Sequence, residues 1–254
     1  MTPASGFPTL LHKEVLRFWK VSFQTVAAPV LSALLFLVIF SHALSRHVEA
    51  YPGVGYAQFL LPGLAMMAML QNAFANASSS IIQSKITGNI VFILLAPLTP
   101  VDLFAAYLLA AIVRAVAVGT CVIVAVAWLV PLPIPNPLWL AAFAFTGAGI
   151  LGALGIIAGI WAEKFDELAA FQNFVVMPLT FLAGVFYSVQ SLPPFWQNAT
   201  HFNPFFYAID GFRYAFFGKA DVSPWTSLAI ASATFCALSW LTLRLLRGGY
   251  KLRH

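Results

Sequence analysis

The chain has 254 residues, of which 61% are hydrophobic and only 8% charged, with a mean hydropathy of +0.89 and a formal net charge of +5. Soluble domains carry charge on about a quarter of their residues, so a soluble enzyme or nucleic-acid-binding domain is excluded and the chain reads as an all-α integral membrane protein. Spans of about 20 residues allow roughly six helices and leave no room for a sizeable soluble domain. The basic residues gather at the ends of apolar runs, which is a topology signal and not a nucleic-acid footprint. Cys121 and Cys236 fall inside apolar runs and are expected to pack rather than to form a disulfide. No short charged leader with a small-residue cleavage site precedes the first apolar run.

Residues 7–20 (FPTLLHKEVLRFWK) set Leu10, Leu11, Val15, Phe18 and Trp19 near one stripe, with Lys13, Glu14, Arg17 and Lys20 toward the other. The segment is too short and too charged to span, and reads as an amphipathic helix on the cytoplasmic interface or as a solvated lead-in. A first span is predicted over 21–44 and a second over 56–80. In the second, Gln71, Asn72 and Asn76 share one helical face and three serines follow. In lipid such a face turns toward other helices, for hydrogen bonding, or toward a passage; both readings stand.

After it, an apolar run from Ile90 to Ala96 is too short to cross a bilayer core of about 30 Å, and Pro97 and Pro100 close it. A short cytoplasmic helix parallel to the membrane is predicted within 83–95. Lys85, Gly88 and Asn89 give it a polar face for a docking protein, the alternative being an ordinary interfacial turn. The third span, 101–128, carries Arg114 about 20 Å along the helix. A charge at that depth faces protein or water, and because Asp102 is too distant its partner must come from elsewhere. The fourth span, 138–161, contains the close-packing pair Gly155 and Gly159. Glu163, Lys164, Asp166 and Glu167 in the next connection must lie in water.

The fifth span is predicted over 169–187 and the sixth over 225–246. Between them the run from Pro178 to Gly218 is too long for a loop and too interrupted for a span. Proline restricts the residue before it and removes a backbone donor, so Pro193-Pro194 should end the helix near Leu192 and Asn203-Pro204 should turn the chain again. The aromatic insert over 188–218 is read as an external helical hairpin re-entering the outer leaflet, where protein or a wet cavity satisfies its backbone. Asp210 and Arg213, at i and i+3, can form an ion pair, either as a structural clamp or as a catalytic pair. Lys13, Arg17, Lys20, Lys85, Lys164, Arg244, Arg247, Lys251 and Arg253 fall on one side, against Arg46, Arg213 and Lys219 on the other. Both termini are therefore expected in the cytoplasm.

No phosphate-binding loop is present: Gly218-Lys219 is followed by alanine and lacks the upstream glycine. The five histidines are dispersed without metal-ligand spacing. Neither a catalytic nor a metal-ligating set emerges, and no cofactor is expected on this chain.

The layout resembles the membrane permease subunit of type-2 ABC exporters. The resemblance rests on PLTFLAGVFYSVQSLPPFWQ and NPFFYAIDGFRYAFFG, with support from QFLLPGLAMMAMLQNAFANASSS, and covers essentially the whole chain. It says little about cargo. It implies that Gln83 to Leu95, including Lys85, Gly88 and Asn89, is a coupling helix seated in a separate ATP-binding subunit, assisted by 7–20 and by Glu163, Asp166 and Glu167. It implies an external gate shaped by Pro193, Pro194, Trp196, Asn203, Pro204, Asp210 and Arg213. A homodimer of the permease with two ATPase subunits, which hold ATP and Mg, would enclose a pathway bearing Gln71, Asn72, Asn76 and Arg114. The function expected is export of an amphipathic, lipid-linked, glycan or drug-like substrate across a bacterial inner membrane, the permease being no enzyme itself. One rival is an ion- or proton-coupled secondary transporter using Arg114, although no second broken half is visible. The other is a membrane-embedded lipid-modifying enzyme using Asp210 and His201, for which a nucleophile or metal set is lacking.

Overall fold

A computed structural model describes residues 6–44, 51, 53–130 and 133–251, with the side chains of 41–44 set aside. Arg46 and Arg253, used above for orientation, lie outside the described residues. The helices are α1 (Gly6–Trp19), α2 (Ser22–Leu44), α3 (Tyr56–Ile86), α4 (Ile90–Leu95), α5 (Pro100–Ala127), α6 (Pro137–Trp161), α7 (Phe165–Phe171), α8 (Met177–Phe181), α9 (Pro194–His201), α10 (Pro204–Phe217) and α11 (Pro224–Gly248). Among the described residues, four stretches are long and apolar enough to cross a membrane: Ser22–Phe40, Pro100–Ala127, Pro137–Trp161 and Pro224–Gly248.

The helix over the expected second span is the centre of the molecule. α3 packs against α2, α5, α6 and α10, and most of its side chains are buried, amides and serines among them. Its neighbours, not lipid, receive those polar groups, so it needs none of the hydropathy of a lipid-facing span. At the two glycines picked out above, α6 meets the backbone of α3. A Cβ on Gly155 would lie 2.6 Å from the Phe74 carbonyl oxygen, and one on Gly159 would lie 2.9 Å from that of Ser78. α5 starts at a reciprocal cap. Thr99 Oγ1 accepts from the Asp102 amide, while an Asp102 carboxylate oxygen accepts from the Thr99 amide at 2.9 Å and from its hydroxyl at 2.7 Å.

The single helix expected over 169–187 is corrected to α7, a π-helical turn at Gln172–Val176 and α8, ending at Phe181. Pro178 explains the wide turn. Its ring has no N–H and would crowd the carbonyl one turn back, and the Met177 amide instead reaches five residues back to Gln172. Gly184, with φ of +74°, takes the chain out of the helix before the prolines are reached. Beyond it a 3₁₀ turn at Val189–Ser191 leads into α9 and α10. Two helices thus occupy the stretch expected to form a hairpin, but the second is no surface feature. α10 is buried along nearly its whole length, wedged among α3, α6 and α11.

Candidate functional site: polar clusters at the two ends of α3

α3 runs from the hairpin, where Tyr56 Oη donates to the Phe186 carbonyl at 2.9 Å, to the α1 and α4 end about 45 Å away at 1.5 Å per residue. Polar groups concentrate toward each end.

At the hairpin end the expected Asp210–Arg213 ion pair does not form among the described residues. The two side chains work separately. Asp210, fully buried, accepts the backbone amides of Asp221 at 2.8 Å and Val222 at 3.1 Å. Arg213, 1% exposed, donates to the carbonyls of Phe59 at 3.3 Å and Gly184 at 2.9 Å, with its guanidinium carbon 3.8 Å from the centroid of the Phe59 ring. Arg213 thereby caps the chain where α8 ends and ties it to α3. Asn203 caps α10 by accepting from the Phe205 amide at 3.0 Å, and its own amide group donates to the Leu179 carbonyl. Pro204 opens α10, and Pro193 and Pro194 start α9, which leaves Trp196 half exposed and Phe195 and Phe202 on the surface. His201 and Asp210 do not converge: His201 packs edge-on against Phe206, while both Asp210 oxygens are occupied by amides.

Asp221 completes this clasp, although sequence reasoning passed over it. It accepts from Ser188 Oγ at 2.6 Å, the Val189 amide at 2.8 Å and Tyr51 Oη at 3.3 Å. The available signal was a single acid in the short connection between the hairpin and the last long helix.

Toward the other end, Arg114 finds its partners on α3. Its Nε and one terminal nitrogen donate to Asn72 Oδ1 at 3.2 and 3.1 Å, and the other terminal nitrogen donates to Asn76 Oδ1 at 3.4 Å. Arg17 of α1 shares that same oxygen at 2.9 Å and also reaches the Asn76 carbonyl and Ser79 Oγ. Glu14 corrects the polar stripe expected for 7–20. It is fully buried on the face of Leu10 and Phe18, where Ser80 Oγ donates to it at 2.5 Å and Arg17 Nε lies 3.1 Å away. Burial of this carboxylate is sustained because hydrogen bonds and cations meet it there. Gln71 stands apart, lining a cleft of about 200 Å³ between α2 and α3 with Pro29, Ser32 and Ala68.

The helix expected within 83–95 is shorter than that range. Gln83 and Lys85 belong to the last turn of α3, Gly88 turns the chain at φ of +75°, and only Ile90–Leu95 forms α4. Lys85 points inward: its ammonium donates to the carbonyls of Ile160 at 2.9 Å and Ala162 at 2.6 Å, capping α6. Asn89 remains exposed, as do Phe92 at 73% and Leu95 at 77%. A groove of about 510 Å³ separates α4 from α1, lined by Gly6, Thr9, Leu10, Lys13, Asn89 and Phe92 among others. Nearby, Glu163 pairs with Lys251 at 2.9 Å and its amide donates to Glu167, while Asp166 is exposed. The hydrogen bond to Glu163 holds the Lys251 ammonium above the ordinary lysine range.

Long apolar helices around a polar central one, a broken helix feeding a buried hairpin, and a helix pair at the opposite end are the architecture of an integral membrane protein. The chain belongs to the ABC-2 type transporter family, which it matches over residues 6–217. It is 34% identical over 241 residues to the inner membrane transport permease YadH of Escherichia coli K12, covering 95% of this chain and 94% of that one. It is also similar to nodulation protein J of Rhizobium meliloti, 26% identical over 83% of this chain and 82% of the relative. Nodulation protein J of Rhizobium leguminosarum bv. viciae is 24% identical over 85% of each.

Proposed function

We propose that this chain is the permease half of an ATP-driven exporter in a bacterial inner membrane, moving an amphipathic, lipid-linked, glycan or drug-like molecule outward. ATP and Mg are held and hydrolysed by a separate ABC subunit, and two permeases work with two ATPases. The chain crosses the bilayer six times with both termini cytoplasmic. α3 and the broken α7–α8 segment provide two crossings beside the four long apolar helices.

The observation that carries this reading is the exposed apolar face of α4 beside the α1 groove. Phe92 and Leu95 are aromatic and aliphatic side chains left bare at the end of a helix too short to span, and an ATPase surface would cover them. Asn89 and Gly88 complete that face, whereas Lys85 holds it in place by tying α3 to α6. Closure of the ATPases on ATP presses on α4 and α1. Because Glu14 and Arg17 bind α1 to Asn76, Ser79 and Ser80 of α3, that push reaches the central helix and, at its far end, the hairpin clasp. Glu163, Asp166 and Glu167 border the same end and extend the docking surface.

Coexpression with the cognate ATPase tests it. Phe92→Glu and Leu95→Glu, on surface side chains that the fold does not need, should reduce copurified ATPase at least tenfold while the permease elutes as before. Retention at the wild-type level by both variants would contradict the docking assignment.

A further inference from the structure

The cations of the cluster between α1, α3 and α5 outnumber the anions. Lys13 and Arg17 flank Glu14 at 3.3 and 3.1 Å, so that one carboxylate is already shared by two cations. Arg114 has amide oxygens and nothing ionised: Asn72 takes two of its hydrogen bonds and Asn76 one. Two guanidinium groups, on α1 and α5, converge on the single Asn76 Oδ1. Among the described residues no carboxylate pairs with Arg114. Like charges brought this close repel, and a guanidinium at this depth in a bilayer is costly unless an opposite charge meets it. A guanidinium has five N–H donors, and the bonds to Asn72 and Asn76 leave part of the Arg114 fork unspent.

The cluster is also reachable. Arg17 and Arg114 are half-buried rather than sealed, and Gln71, Ala75 and Ser79 lie half-exposed at four-residue intervals along α3, on one helical face. The surrounding surface of α5, at Val113 and Val116, is apolar and exposed. A ligand with an oxyanion at one end and hydrocarbon beyond it matches both features, because guanidinium forks bind phosphate oxygens in a bidentate fashion.

We propose that Arg114 and Arg17, oriented by Asn72 and Asn76, form a binding site for a net-anionic phosphate-monoester headgroup carried on a lipid chain. This deepens the export reading and rests on it, since it presumes that α3 and α5 lie in the bilayer. Asn72 and Asn76 act as positioning residues: they fix the Arg114 fork without neutralising it.

Full-length permease purified in a neutral maltoside detergent can be titrated with dodecyl phosphate, with inorganic phosphate, and with a zwitterionic phosphatidylcholine of matched chain length. Saturable binding of dodecyl phosphate is expected, weakened at least tenfold by Arg114→Gln and by Arg17→Gln and unchanged by Arg244→Gln, a control cation on α11. Asn72→Asp guards against misfolding as the cause. It keeps the shape and an acceptor for Arg114 while supplying the missing carboxylate, so it should preserve the elution profile and still lose phosphate affinity. Binding of inorganic phosphate as tight as that of dodecyl phosphate would assign the site to a free anion and overturn the lipid-borne part. Equal binding by wild type and Asn72→Asp, or equal binding of phosphatidylcholine, would overturn the site itself. Copurification of the ATPase with Asn72→Asp separates the two ideas, because the docking face of α4 is untouched by that change.

Discussion

Asp221 satisfies three donors from two segments distant in sequence: a tyrosine hydroxyl just before α3, and a serine hydroxyl and a backbone amide after α8. Replacing it with alanine orphans all of them at once, and a buried donor left unmade costs about 1 to 3 kcal/mol. Asp221→Ala should therefore destabilise the hairpin end by on the order of 3 kcal/mol, read as a lower unfolding midpoint in detergent, with Asp221→Asn recovering part of the loss. A wild-type midpoint for the alanine variant would show that the clasp carries no stability. Arg213 and Asp210 were legible as charges needing partners, though not with the ion pair expected between them, because charged residues in so apolar a stretch must be satisfied by something. Their partners were not, because backbone carbonyls and amides leave no trace in residue identity. The same holds for Glu14, whose place on the helical wheel beside Lys13 and Arg17 suggests solvent, while Ser80, 66 residues later, makes burial tolerable.

Helix packing separates two kinds of glycine. At Gly155 the obstacle is a backbone oxygen of α3, 2.6 Å from where a Cβ would sit, and backbone cannot rotate away. Gly155→Leu should push α3 and α6 apart, cost at least the roughly 1 to 3 kcal/mol of overpacking, and yield aggregated permease on size exclusion. A monodisperse, wild-type-stable Gly155→Leu protein would refute close contact there. At Gly88 the space is open and only φ of +75° resists, so Gly88→Ala should cost about 1 to 2 kcal/mol and leave the packing intact. Among the elements, the long uniform helices matched their apolar runs to within a few residues because hydrophobic length fixes them. The fifth failed as a continuous helix because Pro178 and Gly184 act within two turns of each other, well before the more conspicuous Pro193-Pro194. α4 came out shorter than 83–95 because the last turn of α3 continues to Ile86, supported by Lys85 reaching across to α6.

At the scale of the whole chain, α3 is a rod joining a cluster near α1 and α4 to a clasp under the hairpin, and its polar residues fall where those two assemblies need them. Its low hydropathy is the consequence: helices that surround it face lipid, and it faces them. Under the proposed six-crossing topology, the four conspicuously apolar helices among the described residues are joined by two further crossings, α3 with its amides and the broken α7–α8 segment. The account stands on the two ends of α3 lying on opposite sides of the membrane, with α4 inward. In a protein with Cys121 and Cys236 replaced by alanine, Asn89→Cys and Ser191→Cys place one thiol at each exposed end. A membrane-impermeant maleimide applied to intact cells should label Ser191→Cys and leave Asn89→Cys unlabelled until the membrane is permeabilised; labelling of both from the same side would contradict the account.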